Sequence, residues 1–369
     1  MRGPVSCDSA ITGSQDDTIP GQLAAGAGLR FGHAMRTGPT NLLTDVTGLL
    51  VGHAHDASLA SGATAILFEE PAVASVAVVG GAPGGRDLGC LEPHRTVAAV
   101  DAIVLSGGSA FGLDAASGAQ AWLRENGRGL LVRDVRVPIV PSAILFDLLN
   151  GGDKDWGRYP PYRELGYRAC EQAAASFGLG TVGAGYGATT ANLKGGIGSA
   201  SIVASDGSTI AALAAVNAIG SAVMGSGPHF WAAPFERDGE FGGLGWPGRS
   251  ADDHLSLHRK GGAPATTLAI VATDASLDKS EAKALALAAS GGLAKALRIA
   301  MAPMDGDTVF AVSTRKRPRP AGPHGFAELS ALGSDCLARA IARGVHAATR
   351  LPHEGAQRAW SEIVVRTDS

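Results

Sequence analysis

Residues 261–274 read GGAPATTLAIVATD, a segment in which a loose run of Gly, Ala and Pro passes directly into a strongly apolar stretch. Thr266 and Thr267 stand at the junction. The apolar part, LAIVA, is typical of a buried strand, and threonine is common in strands. The same junction fits a second interpretation, in which the chain is cut before Thr266 and this residue becomes a new N-terminus.

A threonine hydroxyl is a weak nucleophile unless a base lies beside it, and an N-terminal threonine carries its own base. Its free α-amino group titrates at about 8 and is partly neutral at neutral pH. To create that amine, the Thr266 hydroxyl must attack the carbonyl of Ala265. This attack needs a mobile segment before the bond and a rigid strand after it. Residues 236–265, polar and rich in Gly and charge, are predicted to be a surface linker of this kind.

Such chemistry also needs an oxyanion donor and charged groups that orient the amine. Asn217 and Lys194 have the required chemistry, but each is equally typical of a strand-end cap or a solvated lysine. Asp305 and Asp307, in MDGDTVF, directly precede a predicted strand. They fit either an Asp-Gly turn or a pair of carboxylates that positions a nucleophile.

Composition limits the class of protein. The chain has 369 residues, of which 45% are hydrophobic and 18% charged, so a substantial core is expected. A net charge of −3 gives no general attraction to nucleic acid or anionic membranes. The N-terminus lacks an apolar signal-peptide core, no apolar run reaches the roughly 18 residues of a membrane helix, and four scattered cysteines fit a reducing compartment. We therefore expect a cytoplasmic protein that interacts with neither nucleic acid nor membranes.

Two further motifs allow other interpretations. VLSGGSAFG (residues 104–112) has GxSxxG spacing, one residue too long for a nucleophile elbow, and it lacks the GxGxxG spacing of dinucleotide sites. It is predicted to be a structural turn or, second, an active-site wall. GHAHD (52–56) and DDHLSLH (252–258) have metal-ligand spacings, but the second lies in the predicted linker. No metal or organic cofactor is therefore predicted.

The chain order of elements predicts a layered sandwich of sheets and helices rather than a pure Rossmann sheet. Residues 1–38 are predicted to be a mobile tail and residues 39–369 a single catalytic domain. Asp206-Gly207 predicts a type I′ hairpin, and Asp278 with Glu281 predicts a helix capping box. The remaining predicted strands lie in LLTDVTGLLVGH, ATAILFEE, ASVAVVGG, DAIVLSGG and TVFAVST; other helices lie in SAFGLDAASGAQAWLREN, in YRELGYRACEQAAASFG up to Gly178, and from Phe326 to about Thr349.

Five stretches between about residues 40 and 345 resemble the L-aminopeptidase/D-esterase family of DmpA type, which also holds β-peptidyl aminopeptidases and the nylon-oligomer endohydrolase. The resemblance implies an α/β fold, a four-layer α-β-β-α sandwich similar to N-terminal nucleophile hydrolases. It also implies a self-cleaving amidohydrolase or aminopeptidase that acts on small peptides, amides or esters without a cofactor, and homo-oligomers, often tetramers of processed heterodimers. The stretches are NLLTDVTGLLVGH, LSGGSAFGLDAA, VPIVPSAILFDL, GAGYGATTANLKGGIGSAS and TTLAIVATDA with MDGDTVFAVST.

The resemblance assigns roles residue by residue. Thr266 matches the family's Ser or Thr nucleophile, so cleavage between Ala265 and Thr266 would give chains 1–265 and 266–369. Asn217 matches the Asn of the oxyanion region. The remaining matches are Asp305 and Asp307, for the pair that positions the nucleophile, and Lys194, for a lysine of the nylon-hydrolase branch.

One stretch departs from the family pattern. Aminopeptidase members carry Glu and Tyr where this chain has Ile144 and Phe146, in SAILFD. Ile144 cannot pair with an ammonium group and Phe146 lacks a hydroxyl donor. These two residues are expected to contact substrate, and amides without a free N-terminal amine, including oligoamides, become candidate substrates.

Two alternative functions stay open at this point. ATTLAIVATDA also resembles the cleavage strand of ornithine acetyltransferases, although their KGAGM and PNMAT signatures are missing here. The other alternative is a catalytically silent binding protein, whose chain would stay intact.

Overall fold

The computed structural model describes residues 35–248, 253–262 and 264–364. The predicted tail lies outside the described residues up to position 34, and Arg36–Thr37 within it already form an edge strand. The strands are β1 Arg36–Thr37, β2 Leu49–Asp56, β3 Ser61–Val78, β4 Gly85–Arg86, β5 Val100–Ser106, β6 Leu130–Val132, β7 Val135–Val137, β8 Ser142–Ile144, β9 Ile197–Val203, β10 Thr209–Asn217, β11 Thr266–Ala275 and β12 Thr308–Arg317. The helices are α1 Ala115–Glu125, α2 Tyr162–Glu171, α3 Lys279–Ala289, α4 Gly291–Ala296, α5 Gly322–His346 and α6 Ser361–Val364.

Two sheets share the long strand β3. The first sheet has the order β1-β9-β10-β11-β12-β3, in which β11 pairs antiparallel with β10 and parallel with β12. The second contains β2, β3, β5, β8 and β4. A further hairpin, β6–β7, stands apart. Because β11 has a partner on each side, the segment that opens at Thr266 is an interior strand, as LAIVA predicted.

Side chains alternate along β11 between two cores. Leu268, Ile270 and Ala272 pack between the two sheets, whereas Ala269 and Val271 pack under α3 and α5. A third core lies between the second sheet and the helices α1 and α2. Three cores separate four layers, which is the predicted α-β-β-α order. Burial on both faces explains why residues 268–272 of this strand, LAIVA, are all apolar.

The predicted strands ATAILFEE and ASVAVVGG form one element, β3, which is a correction. Glu69, Glu70 and Pro71 are exposed in its middle, and the pairing with β5 shifts register between Leu67 and Ala72. Proline lacks an N–H donor and is tolerated in strands at such irregularities. The polar interruption therefore marks the passage from one sheet to the other and not a turn.

Two other local predictions also need correction. Helix α2 ends at Glu171 instead of continuing to Gly178, because Ala174 exchanges two backbone hydrogen bonds with Val51 at 3.0 and 3.1 Å. The β9–β10 hairpin is present, but of Asp206-Gly207 only Gly207 has a positive φ, +82°, so the turn is not type I′. The Asp278–Glu281 capping box is confirmed. In the described ranges, no helix is long and apolar enough to cross a membrane.

The predicted surface linker is partly buried, which is a further correction. Phe241 packs edge-on against Phe230 in the core under α5. Glu240 forms an ion pair with Arg339 of α5, with 2.5 Å between Oε1 and Nε, and their side chains are 6% and 0% exposed. Arg339 also donates to the Ser201 carbonyl at 3.0 Å. The packing of Phe241 and the buried Glu240–Arg339 ion pair thus hold the start of this segment against α5, although its polar composition predicts a surface loop.

Removing one partner of this buried pair should be costly, because the other charge is left buried without compensation. We expect Arg339→Met to lower the free energy of unfolding by about 3–5 kcal/mol. As a control, Arg319→Met removes surface ion pairs with Glu281 and Asp278, at an expected cost below about 1 kcal/mol. Urea denaturation of both variants measures the difference. Equal effects of the two substitutions would contradict a structural role for the Glu240–Arg339 pair.

Candidate active site

The Thr266 hydroxyl lies against the peptide that precedes it. Its Oγ1 donates to the Ala265 carbonyl oxygen at 2.5 Å. The same carbonyl oxygen accepts the backbone N–H of Gly306 at 2.9 Å. Both Thr266 and Ala265 are buried, at 4% and 1% exposure. The Ala265 carbonyl is therefore held between a hydroxyl and an N–H donor, away from bulk water.

Gly306 is a site residue that the sequence analysis missed, because it was considered only as part of an Asp-Gly turn. A Cβ atom at this position would stand 2.5 Å from Thr266 Oγ1 and 3.0 Å from the Ala82 carbonyl oxygen. A hydrogen in place of a side chain is thus what allows the Thr266 hydroxyl to reach the carbonyl.

The two predicted carboxylates occupy the same turn but have different surroundings. Asp307 accepts the backbone N–H groups of Thr267 at 2.6 Å and Met301 at 2.8 Å, so it anchors the start of β11. Asp305 is fully buried, and among the described residues neither of its carboxyl oxygens has a well-aligned donor, because the nearby Gly306 N–H is directed to the Ala265 carbonyl. Its carboxyl faces that of Asp307.

Burial, followed by the neighbouring charge of Asp307, raises the pKa of Asp305 to about 8. Burial also raises the pKa of Asp307, although its two backbone donors oppose the change. Two buried carboxyls that face each other tend to share one proton, and the group with fewer hydrogen-bond donors holds it. Asp305 is therefore the protonated member near neutral pH, and it is poised to ionise slightly above it.

Asn217 lies directly opposite Thr266 in the β10–β11 pair. Residues opposite each other on antiparallel strands project to the same face, so both side chains emerge on one side of the sheet. The Asn217 Nδ2 donates to the Phe146 carbonyl at 3.0 Å, and its Oδ1 accepts the Thr189 N–H at 3.0 Å. An amide nitrogen has two hydrogens, so one Nδ2–H is left for another acceptor.

Lys194 is buried but is engaged elsewhere. Its Nζ donates to the carbonyls of Gly185, Ala188 and Gly195 at 3.0, 2.8 and 2.7 Å. Burial lowers its pKa to about 7. These three hydrogen bonds to backbone oxygens close the loop of residues 185–195. They use all three hydrogens of the Lys194 ammonium group, so none is left to donate to Thr266.

A second lysine, Lys260, was missed because it lies in the predicted linker. Its Nζ donates to Asn217 Oδ1 at 2.7 Å and to the Asn217 carbonyl at 3.2 Å. Burial lowers its pKa to about 7, while the charges of Asp305 and Asp147 oppose the change. Neither apolar spacing nor a motif marks this residue in the sequence.

A cavity of about 350 Å³ opens beside Lys260, and in the described part of the chain Thr266, Asn217 and the two carboxylates are not among its lining residues. Phe146 lies in its wall, whereas Ile144 is buried and has its side chain against Gly84. The segment just before the Ala265 carbonyl forms part of the wall, as do residues 353–357 near the C-terminus. Lining side chains include Asp147, Asn150, Thr189, Lys260 and Pro264.

The glycine turn of residues 107–108 does not line the cavity itself, but it binds Asp147, which does. The Gly108 N–H donates to Asp147 Oδ1 at 2.7 Å, and the Ser61 hydroxyl donates to Oδ2 at 2.6 Å. Burial raises the pKa of Asp147. Gly108 has φ +82°, and a Cβ there would meet the Tyr162 ring at 2.1 Å.

The histidines of the candidate metal motif have other partners. His53 Nδ1 is 2.9 Å from the Thr64 hydroxyl, and His55 stacks on Tyr186. Among the residues described, no group of three His, Cys, Asp or Glu side chains is arranged to hold a metal ion. Asp252, in the second motif, lies outside the described residues.

Residues 41–358 match the model of peptidase family S58. An uncharacterized aminopeptidase of Mycobacterium tuberculosis is 40% identical over 327 residues, 83% of this chain and 93% of the relative. An uncharacterized aminopeptidase of Mycobacterium leprae is 38% identical over 336 residues, 84% of this chain and 91% of the relative.

Solved structures give the same fold. A β-aminopeptidase from Burkholderia sp. superposes with a TM-score of 0.65 at 21% identity, over 91% of this chain and 96% of that one. The L-aminopeptidase D-Ala-esterase/amidase of Ochrobactrum anthropi, described as a variant of the N-terminal nucleophile hydrolase fold, gives 0.65 at 20% identity, over 92% and 97%. The chain therefore belongs to peptidase family S58, and it is a peptide-bond hydrolase with an N-terminal nucleophile hydrolase fold.

Proposed function

We propose that the protein cleaves its own Ala265–Thr266 peptide and then hydrolyses small peptides or other amides with the N-terminal Thr266 as nucleophile. The observation that carries the proposal is the Ala265 carbonyl, which the Thr266 hydroxyl contacts at 2.5 Å and which Gly306 N–H also holds at 2.9 Å. A nucleophile and an oxyanion donor thus meet on one peptide carbonyl.

Self-cleavage proceeds in three steps. Thr266 Oγ1 attacks the Ala265 carbonyl carbon and its proton passes to a nearby base, for which ionised Asp305 is the candidate. The C–N bond then breaks, the nitrogen takes up a proton, and the acyl group is left on Oγ1 as an ester. Water hydrolyses the ester, which frees the Ala265 carboxylate and the Thr266 α-amine.

In turnover, the α-amine of Thr266 takes the role of base. Oγ1 attacks the substrate carbonyl, the amine portion leaves, and water releases the acyl group from Oγ1. Gly306 N–H and the free Nδ2–H of Asn217 are the proposed oxyanion donors. Asp307 holds the strand start, and Asp305, which lacks a well-aligned donor in the described part of the chain, would gain the new ammonium group as a partner. Lys194 supports the site through the loop it closes.

Family membership favours this hydrolase over the acetyltransferase alternative. The names of the relatives suggest aminopeptidase activity. Ile144 lies outside the cavity wall and Phe146 offers no hydroxyl, so neither supplies a partner for a substrate ammonium group. Matched anilide substrates with and without a free α-amine test whether that amine is required. We extend the proposal to a homo-oligomer in the cytoplasm, which light scattering and fractionation test.

The neighbouring threonines provide a matched pair of variants. Thr266→Val should leave one uncut chain without activity, because the nucleophile is gone. Thr267→Val should still be cut at the same peptide, because the hydroxyl that contacts the Ala265 carbonyl belongs to Thr266 and the backbone N–H of residue 267 that Asp307 binds is retained. Intact mass and an amide-hydrolysis assay measure both. A Thr266→Val chain that is cut or active would refute the proposed nucleophile.

Gly306→Ala should slow self-cleavage on the order of 100-fold, because the new methyl group would displace the Thr266 hydroxyl by about 1 Å from the carbonyl. Gly89→Ala is the control, since a Cβ there meets nothing within 4 Å. The rate of chain cleavage after purification, followed by denaturing electrophoresis, measures the effect. An unchanged cleavage rate in Gly306→Ala would show that cleavage does not depend on the observed contact between the Thr266 hydroxyl and the Ala265 carbonyl.

The cleavage rate should rise with pH through an inflection near pH 8, where Asp305 ionises and can accept the hydroxyl proton. Asp307→Asn removes a like charge, which makes ionisation of Asp305 easier, so the inflection should move to lower pH. Asp335→Asn, which alters a carboxylate paired with Lys295, should leave the inflection in place. An inflection that stays fixed or moves upward in Asp307→Asn would argue against Asp305 as the ionising group.

A further inference from the structure

Lys260 is attached to the end of β10 at two points. Its backbone N–H donates to the Ile219 carbonyl at 3.1 Å. Its Nζ donates to Asn217 Oδ1 at 2.7 Å and to the Asn217 carbonyl at 3.2 Å. The residue therefore occupies a defined position, six residues before Thr266, in a segment whose composition predicts a solvated loop.

The side chain of Lys260 determines which way the Asn217 amide faces. Oδ1 accepts two hydrogen bonds, from the Thr189 N–H and from Lys260 Nζ. With both donors on the oxygen, the nitrogen must be the end that faces the Phe146 carbonyl, at 3.0 Å. A reversed amide would place its NH₂ group against two donors. The remaining Nδ2–H therefore lies on the same face of the sheet as the Thr266 side chain.

The charge of Lys260 adds a second effect. A hydrogen bond from a cation is roughly twice as strong as a neutral one, and it polarises the amide that accepts it. The polarised Nδ2–H becomes a better donor to a developing oxyanion. Burial lowers the pKa of Lys260 to about 7, so this second effect applies below that pH, whereas above it the neutral amine still donates to Oδ1 and orients the amide.

We propose that Lys260 is a positioning residue for self-cleavage, which fixes and polarises the Asn217 amide from within the same segment that presents the Ala265 carbonyl. The inference rests on the proposed function, because it concerns the oxyanion donor of that reaction. Lys194 cannot replace it, since the Lys194 Nζ donates to three other carbonyls. The segment that contains the peptide to be cut therefore also orients the Asn217 amide, which donates a hydrogen bond to the oxyanion.

The test is a double-mutant cycle on the first-order rate of self-cleavage, followed by intact mass. Lys260→Met should slow cleavage on the order of 10- to 100-fold, and Lys260→Arg should recover most of the rate because it retains a cationic donor. Arg259→Met, which removes the exposed neighbouring cation, should cleave like the unmodified chain. In an Asn217→Ala background, Lys260→Met should add less than about 2-fold, because its target is gone.

The results decide whether or not Lys260 acts through Asn217. Cleavage of Lys260→Met at the rate of Arg259→Met, or an equal slowing with and without Asn217, would overturn the positioning role. If thermal denaturation shows that Lys260→Met is unfolded, Lys260→Gln, which retains a neutral donor, replaces it under the same non-additivity criterion. If the unmodified chain is never cut, the proposed function itself fails, and that outcome is distinct from a failure of Lys260.

Discussion

The pairing of β11 with a strand on each side is the constraint on which the rest of the site depends. Pairing with β10 from Thr266 onward and with β12 from Leu268 onward, together with burial on both faces, fixes the position of this strand in the sheet. Asp307 secures the N–H of Thr267, the first peptide inside the strand. The peptide before Thr266 therefore sits at a fixed boundary, where its carbonyl can be held against a hydroxyl.

The same topology has a consequence for a cleaved chain. Under the proposed function, the fragment from Thr266 onward contributes β11 and β12 to the interior of the first sheet, between β10 and β3 of the other fragment. Its helices cover the outer core of that sheet. The buried pair of Glu240 and Arg339 also joins the two fragments. Cleavage would thus change one peptide bond while the cores and the buried charge network keep the parts together.

The sequence predicted much of this fold because hydrophobic pattern and turn chemistry act locally. LAIVA, the Asp278–Glu281 cap and the β9–β10 hairpin are all set by residues close in the chain. The errors arose where distant contacts decide. The pairing of Ala174 with Val51 ends α2 early, and the two-sheet strand β3 continues through Pro71.

The residues of the candidate site also fall into those that the sequence predicted and those that only the folded structure identifies. Thr266, Asn217, Asp305 and Asp307 were predicted together, and the fold brings them to one end of β10, β11 and β12. The importance of Gly306 depends on how close a Cβ would come to a hydroxyl in the folded chain, which no sequence pattern reports. Lys260 reaches Asn217 only through the folded path of its segment. The catalytic roles of all these residues remain predictions that experiment has to test.

The most direct test of the central claim is the intact mass of the purified protein under denaturing conditions, with N-terminal sequencing of any smaller fragment. Self-cleavage before Thr266 predicts two chains of about 27 and about 10 kDa, the smaller one beginning TTLAIVATD. A single chain of 37.2 kDa after prolonged incubation, or a fragment that begins at another residue, would contradict Thr266 as the nucleophile.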